Sequence, residues 1–211
     1  MMQTSTYSSP IEGPIEWTDG EKSEIEELVA RLPEQCVLIL DEAYAEFAPD
    51  EAIPPIHPIH PRVIRARTFS KAHGMAGARV GYAVCEEEIA SAFNKVRLHF
   101  GVNLIAQRGA LAALEDHAFV ENVVAQVAEG RREYQELAMT LGLPTLPSGT
   151  NFVTFDAGSK EMAEGILAGL QDRGVFIRKP GQPPVDRYFR VTVGRPEERA
   201  LFAERLSGLL S

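Results

Sequence analysis

Cysteine is nearly absent from this chain, with two residues in 211, Cys36 and Cys85. Two isolated thiols make neither a metal-binding spacing nor a disulfide framework. Each lies beside an apolar run, so each is expected as a buried thiol, and the cytoplasm is the expected compartment. Long apolar runs are missing too. Val37-Leu38-Ile39-Leu40 is the longest strongly aliphatic stretch near the front, far short of the roughly 20 residues that cross a bilayer. The opening Met-Met-Gln-Thr-Ser-Thr has no basic region followed by an apolar one, so no signal peptide is expected. Basic residues are the scarcer charge: 21 Lys and Arg against 30 Asp and Glu, a net −9. That balance argues against nucleic acid as a partner, and no membrane partner is expected either.

What remains is ample material for a packed core, since 45% of the residues are apolar. The length fits one large domain or two small ones. Residues 1–20, rich in Ser, Thr, Pro and Gly, are expected as a poorly ordered lead. Glu21 to Arg31 has the spacing of an amphipathic helix, with Ile25, Leu28, Val29 and Leu32 on one face. Pro33 stops it. Cys36 to Leu40 is continuous rather than alternating, which predicts a buried parallel strand. Five prolines make 48–62 a loop. Within it, His57 and His60 have no third ligand nearby, so no metal site is expected.

Val63–Phe69 and Val80–Val84 are the next predicted strands. A helical stretch follows over 86–114, with a break expected near Gly101. Another covers 119–141, with Val120, Val123, Val124 and Val127 on one face. After Gly142-Leu143-Pro144 the texture changes. Strands are predicted at 151–155, 175–178 and 188–193, and helices at 160–173 and from Pro196 to Leu210. The fold class is therefore α/β over 21–118, with a small α+β unit over 119–211 that the 119–141 helix joins to the first.

Ligands of open α/β sheets collect beyond the carboxyl ends of strands. Asp41 and Lys71 follow two such ends. A structural ion pair is one reading, contributing ~0–1 kcal/mol at a surface. The other gives each residue a chemical task. A partly desolvated lysine forms a Schiff base with a carbonyl, and a carboxylate keeps a pyridine nitrogen protonated. Tyr44 lies within reach of the same ligand. Ser70 and Arg79 suit a phosphate, and Gly74, Gly77 and Gly81 permit close backbone approach. A Ser/Lys hydrolase is disfavoured, because that chemistry separates the two residues by a helical turn and here they are adjacent.

Three blocks carry a resemblance: Val37 to Tyr44, Thr68-Phe69-Ser70-Lys71 through Gly77-Ala78-Arg79-Val80-Gly81-Tyr82, and Phe189-Arg190-Val191-Thr192-Val193-Gly194. Together they resemble the fold-type-I aminotransferases that use pyridoxal 5′-phosphate (PLP), and within them the histidinol-phosphate aminotransferase branch. The resemblance spans roughly 21–211 in the family's order. It implies part of the PLP-transferase large domain, a mostly parallel sheet with helices, followed by the small domain.

The resemblance also implies roles. Lys71 holds the cofactor aldehyde and moves the proton at the substrate α-carbon. Asp41 pairs with the pyridinium nitrogen, Tyr44 with the ring oxygen, and Ser70 and Arg79 with the phosphate. Arg190 binds a substrate carboxylate and Arg178 a substrate phosphate. The implied reaction is transamination of an amino acid or histidinol phosphate with 2-oxoglutarate and glutamate, in a homodimer. His73 departs from the family, where an aromatic or aliphatic residue is commoner. The glycine-rich phosphate loop, the ring-stacking aromatic and the Asn-Pro-x-x-Pro-Thr-Gly segment of family members are not found, so a shortened chain with impaired turnover is expected. Two other readings stand beside it: an inactive remnant serving as an interaction module, and a related PLP-dependent decarboxylase.

Overall fold

The computed structural model describes residues 20–57 and 59–211. The expected disordered lead, apart from Gly20, lies outside the described residues. The first helix, α1, runs Gly20–Ala30. Ile25 and Val29 are half-buried, whereas Leu28 is 51% exposed. The apolar stripe is thus narrower than the spacing predicts, because the loop and sheet beneath α1 cover only one side of it.

Strands β1 (Leu38–Asp41), β2 (Val63–Thr68) and β3 (Gly81–Val84) form one sheet in that order. β1 runs parallel to β2, with Asp41 beside Ala66, and β3 runs antiparallel, with Gly81 beside Thr68. Over these strands the sheet is mixed rather than mostly parallel. The pairing also places the ends of β1 and β2 and the start of β3 along one edge. Gly81 is needed there, since a Cβ on it would stand 2.7 Å from the Arg67 carbonyl oxygen.

β1 is an edge strand and is not buried as expected; Ile39 is 68% exposed. Cys36 is exposed and Cys85 partly so, which corrects the buried-thiol expectation. Cys36 lies in a turn ahead of the strand, where its N–H donates to the Pro33 carbonyl at 2.9 Å.

The predicted helical stretch divides into α2 (Glu87–Phe93) and α3 (Leu104–Glu115). The break falls where Phe100 takes a positive φ of 59° and Asn103 caps α3 by accepting from Ala106 N–H at 2.8 Å. Helix α4 (His117–Leu141) is capped by Asp116 and ends on Gly142 in the left-handed region at φ 67°.

The second sheet is antiparallel: β4 (Thr145–Leu146), β5 (Phe152–Asp156) and β6 (Tyr188–Thr192). Helices α5 (Lys160–Gln171) and α6 (Pro196–Leu210) pack beside it. Alternation decides its faces. Val153, Phe155, Phe189 and Val191 point to a core shared with Ile166 and Leu206. The Phe155 and Phe189 rings stack with centroids 4.9 Å apart. Burial of each such side chain stabilises the fold by roughly 1.5–3 kcal/mol. The predicted strand at 175–178 is reduced to one bridge, Arg178 to Arg190. Pro180, Pro183 and Pro184 follow, and proline cannot extend the ladder.

Helix α4 serves both regions. Its valines pack on Phe47 and Ala72 beside the first sheet, as their spacing predicts, while Tyr134 and Ala138 enter the second core. Gly130 allows the close approach of β6 and α6, since a Cβ there would meet Val193 Cγ1 at 2.3 Å and Arg199 Cδ at 2.8 Å. Arg199 then grips Glu133 with two hydrogen bonds, of 2.6 and 2.9 Å.

Candidate functional site

Five of the singled-out residues lie along the shared edge of the first sheet. Asp41 ends β1, and Tyr44 stands three residues on. Ser70 and Lys71 follow β2, and Arg79 precedes β3. The local turns explain how the chain holds them. Asp41 Oδ1 accepts from Ala43 N–H at 3.0 Å, and Thr68 Oγ1 accepts from Ser70 N–H at 3.1 Å. Gly74, with φ 68°, closes the turn after Lys71 by donating to the Lys71 carbonyl at 3.0 Å. Gly77 meets nothing within 4 Å. Gly74 and Gly81 therefore serve chain geometry.

Lys71 Nζ stands 5.1 Å from the centre of the Tyr44 ring. Among the described residues it has no carboxylate partner within 4.0 Å. The surface ion pair weighed for Asp41 and Lys71 is thus not formed. Tyr44 meets Phe152 edge to face, with centroids 5.7 Å apart, and Arg190 lies 4.3 Å from the centre of the Phe152 ring. Lys71, Tyr44, Phe152 and Arg190 thus form a continuous run from one sheet to the other. Arg190 also exchanges backbone hydrogen bonds with Arg178, at 3.0 and 2.6 Å. Directly opposed residues of an antiparallel pair share a face, and like charges there repel. Two arginines so placed suit an anion between or above them. Arg178 is exposed, while Arg190 is half-buried.

Arg79 is held at φ 54°, ψ 51°, a left-handed conformation that costs a non-glycine residue of order 1 kcal/mol or more. Its guanidinium donates to the Ala76 carbonyl at 2.8 Å. Asp41 and Tyr44 border a cavity of about 250 Å³ that Gly149 and Thr150, in the loop between β4 and β5, also line. A larger cavity, about 410 Å³, lies between α1 and the Pro54–His60 loop, is lined in part by His57 and His60, and touches none of Asp41, Tyr44, Ser70, Lys71, Arg79, Arg178 and Arg190. Arg65, buried at its wall, donates to Glu42 and to the carbonyls of Pro54 and Pro55.

The framework beneath the site was not singled out from the sequence. Glu42 is buried and accepts from Arg65 Nε and Arg67 Nε, each at 2.8 Å. Arg65 also donates to the carbonyls of Pro55 and Pro54, at 2.7 and 2.8 Å. Burial works against the Arg67 charge, but its Glu42 and Tyr82 contacts outweigh that and raise its pKa. A signal was present: Arg65 and Arg67 share the parity of Val63 on a strand, so a buried face there requires an acid. Arg131 donates to the carbonyls of Ser148 at 2.8 Å, Thr150 at 3.2 Å and Phe47 at 3.3 Å. It ties the segment carrying Tyr44 to the loop ahead of Phe152. Burial pulls its pKa below the usual value. No spacing in the sequence marks Arg131 or Phe152, because their partners are distant along the chain.

A model of the family described as aminotransferase class I and II matches residues 18–206. This chain belongs to the class I and II aminotransferases. Its likeness extends to histidinol-phosphate aminotransferase 2 of Carboxydothermus hydrogenoformans, 38% identical over 195 residues, or 90% of this chain and 53% of that protein. Histidinol-phosphate aminotransferase 1 of Idiomarina loihiensis is 34% identical over 89% of this chain and 51% of its own length. Among solved structures, the Sinorhizobium meliloti histidinol-phosphate aminotransferase, in complex with pyridoxal-5′-phosphate, superposes with a TM-score of 0.87 at 41% identity. That match covers 90% of this chain and 53% of the other. This aminotransferase chain therefore spans about half the length of the curated relatives it matches. At 23% identity and a TM-score of 0.70, L-threonine-O-3-phosphate decarboxylase from Porphyromonas gingivalis shares the fold.

Proposed function

We propose that the chain holds PLP on Lys71 and serves amino-group transfer between an amino acid or histidinol phosphate and 2-oxoglutarate. The observation that carries this reading is the half-buried Lys71 amine, set over the Tyr44 ring with no carboxylate partner among the described residues. The chemistry of the donor set fits the cofactor. An amine, a carboxylate, a phenol, a hydroxyl and a guanidinium stand along one sheet edge. When bound, PLP supplies an electron sink for deprotonation at the amino-bearing carbon. Asp41 would hold the pyridine nitrogen, Tyr44 the ring oxygen, and Ser70 and Arg79 the phosphate. Lys71 would carry the proton at the substrate α-carbon. Arg190 would bind the substrate carboxylate, with Arg178 beside it for a second anionic group.

The five cofactor groups all come from one edge of one sheet. Turnover by this chain alone is expected to be slow, because one sheet edge would supply every group that orients the cofactor. A homodimer is part of the proposal. Val96, Leu98, Phe100 and Ile105 are each at least 80% exposed, and such apolar surfaces mark interaction faces.

The test supplies PLP, 2-oxoglutarate and either histidinol phosphate or an aromatic amino acid, and follows glutamate and released carbon dioxide. Slow glutamate formation that disappears in Lys71→Arg supports amino transfer. Carbon dioxide without glutamate favours the decarboxylase. Neither product, with no PLP retained, favours an interaction module.

A further inference from the structure

The Lys71–Tyr44 contact has a counterpart two residues on along both segments. His73 Nε2 stands 4.0 Å from Glu46 Oε1. That is too long for a hydrogen bond, and with the imidazole protonated it is close enough for charge attraction where solvent is thin. Both side chains are sheltered, at 8% exposure for His73 and 14% for Glu46. His73 Nδ1 and Glu46 Oε2 are buried and have no hydrogen-bond partner among the described residues. Unpartnered buried polar atoms cost a fold stability. A fold that needed only packing here would do better with two apolar side chains.

The surroundings indicate what the pair sets. Glu46 lies in the short 3-10 turn Ala45–Phe47 that Tyr44 precedes. The His73 ring packs 5.0 Å from Phe69, at the foot of the Ser70-Lys71 turn. Ala72, fully buried between Lys71 and His73, joins Phe47 in one cluster with Tyr44 packed against it. Two rungs therefore join the same two segments, Lys71 to Tyr44 and His73 to Glu46. The second is sheltered, and the first is half-buried and free for chemistry.

We infer that His73 and Glu46 are positioning residues, whose attraction sets the post-β2 turn against the Tyr44 segment and so places the Lys71 amine over the Tyr44 ring. The meaning of this inference rests on the cofactor-lysine reading proposed above, but its test does not. Because the amine is observed without PLP, failure of the cofactor reading would leave the result standing.

The experiment labels the lysine amines of the full chain by reductive methylation with ¹³C-formaldehyde. The dimethylamine retains its charge and its affinity for an aromatic face. Lys71→Arg identifies the Lys71 signal, and Tyr44→Leu gives its position without the ring. In the unmutated chain the signal is expected upfield of the Tyr44→Leu position, by the ring current. Glu46→Gln keeps the side chain's shape and removes its charge. His73→Phe keeps the packing on Phe69 and removes the ring nitrogens. Each is expected to lose the upfield displacement with little change in thermal midpoint, and the double variant to lose no more than either single one. Retained displacement in either folded variant would overturn the inference. A variant that fails to fold would also count against it, by making the contact a requirement of the fold and not of the amine.

Discussion

Arg190 lays its guanidinium 4.3 Å from the centre of the Phe152 ring, and Phe152 meets Tyr44. An arginine of the second sheet is thereby tied to the ring that faces the Lys71 amine. Phe152→Ala should therefore act at both ends of the run. We expect a weaker carboxylate-ligand response at Arg190 and a weaker PLP response at Lys71, measured by fluorescence titration with 2-oxoglutarate and with PLP. An effect on only one ligand would break the link between the two ends.

Arg131 fastens the same region from α4 through three carbonyls. Arg131→Ala leaves those acceptors short of a donor, at a cost of about 1–3 kcal/mol. The melting temperature should fall by several degrees, at about 2–4 °C per kcal/mol for a chain of this size. An unchanged melting curve would show that the carbonyls are satisfied otherwise.

Much of the architecture is legible in the amino-acid sequence alone. The valine stripe of α4, Pro196 opening α6 and the alternation of β5 each follow from short-range periodicity. Other features are not legible there, for physical reasons. Whether β1 is covered depends on its place at the sheet edge, which no local pattern reveals. The segment near Arg178 carries a strand-like composition, yet the prolines after it leave one bridge. Of the candidate site, the residues beside strand ends can be singled out because chemistry demands their types. Phe152 and Arg131 cannot, since each acts through partners far away in the sequence.

Buried charge gives a sharper stability test. Glu42 accepts from both Arg65 and Arg67, and Arg65 is itself buried. Glu42→Ala strands a buried guanidinium and should cost about 3–5 kcal/mol. Urea unfolding reads that directly as a lower midpoint at unchanged slope. A loss below ~1 kcal/mol would mean that water reaches Arg65.

Acid should loosen the tie between α4 and α6. The hydrogen bond from Arg199 holds the Glu133 carboxyl below its ordinary 4.5. A carboxyl lowered on folding contributes stability above its unfolded value and loses it as pH falls through the folded value. The stability difference between the native chain and Glu133→Gln should therefore be constant near neutrality and shrink below about pH 4.5. A difference independent of pH would contradict the pairing. The half-exposed position of Glu133 keeps the effect modest.

Arg79 separates stability from function. Arg79→Gly removes the left-handed strain at φ 54°, so the thermal midpoint should hold. The same change removes a proposed phosphate ligand, so PLP retention should fall by about tenfold, the scale of one lost charged hydrogen bond of roughly 1.5 kcal/mol. Full PLP retention would remove Arg79 from the site.

The most direct measurement is the fate of Lys71 itself. The chain is incubated with PLP, reduced with borohydride and digested, and the pyridoxyl group is located by mass spectrometry. The account predicts a single principal adduct on the peptide containing Ser70-Lys71, lost in Lys71→Arg. An adduct spread over the lysines, or none on Lys71, would contradict it.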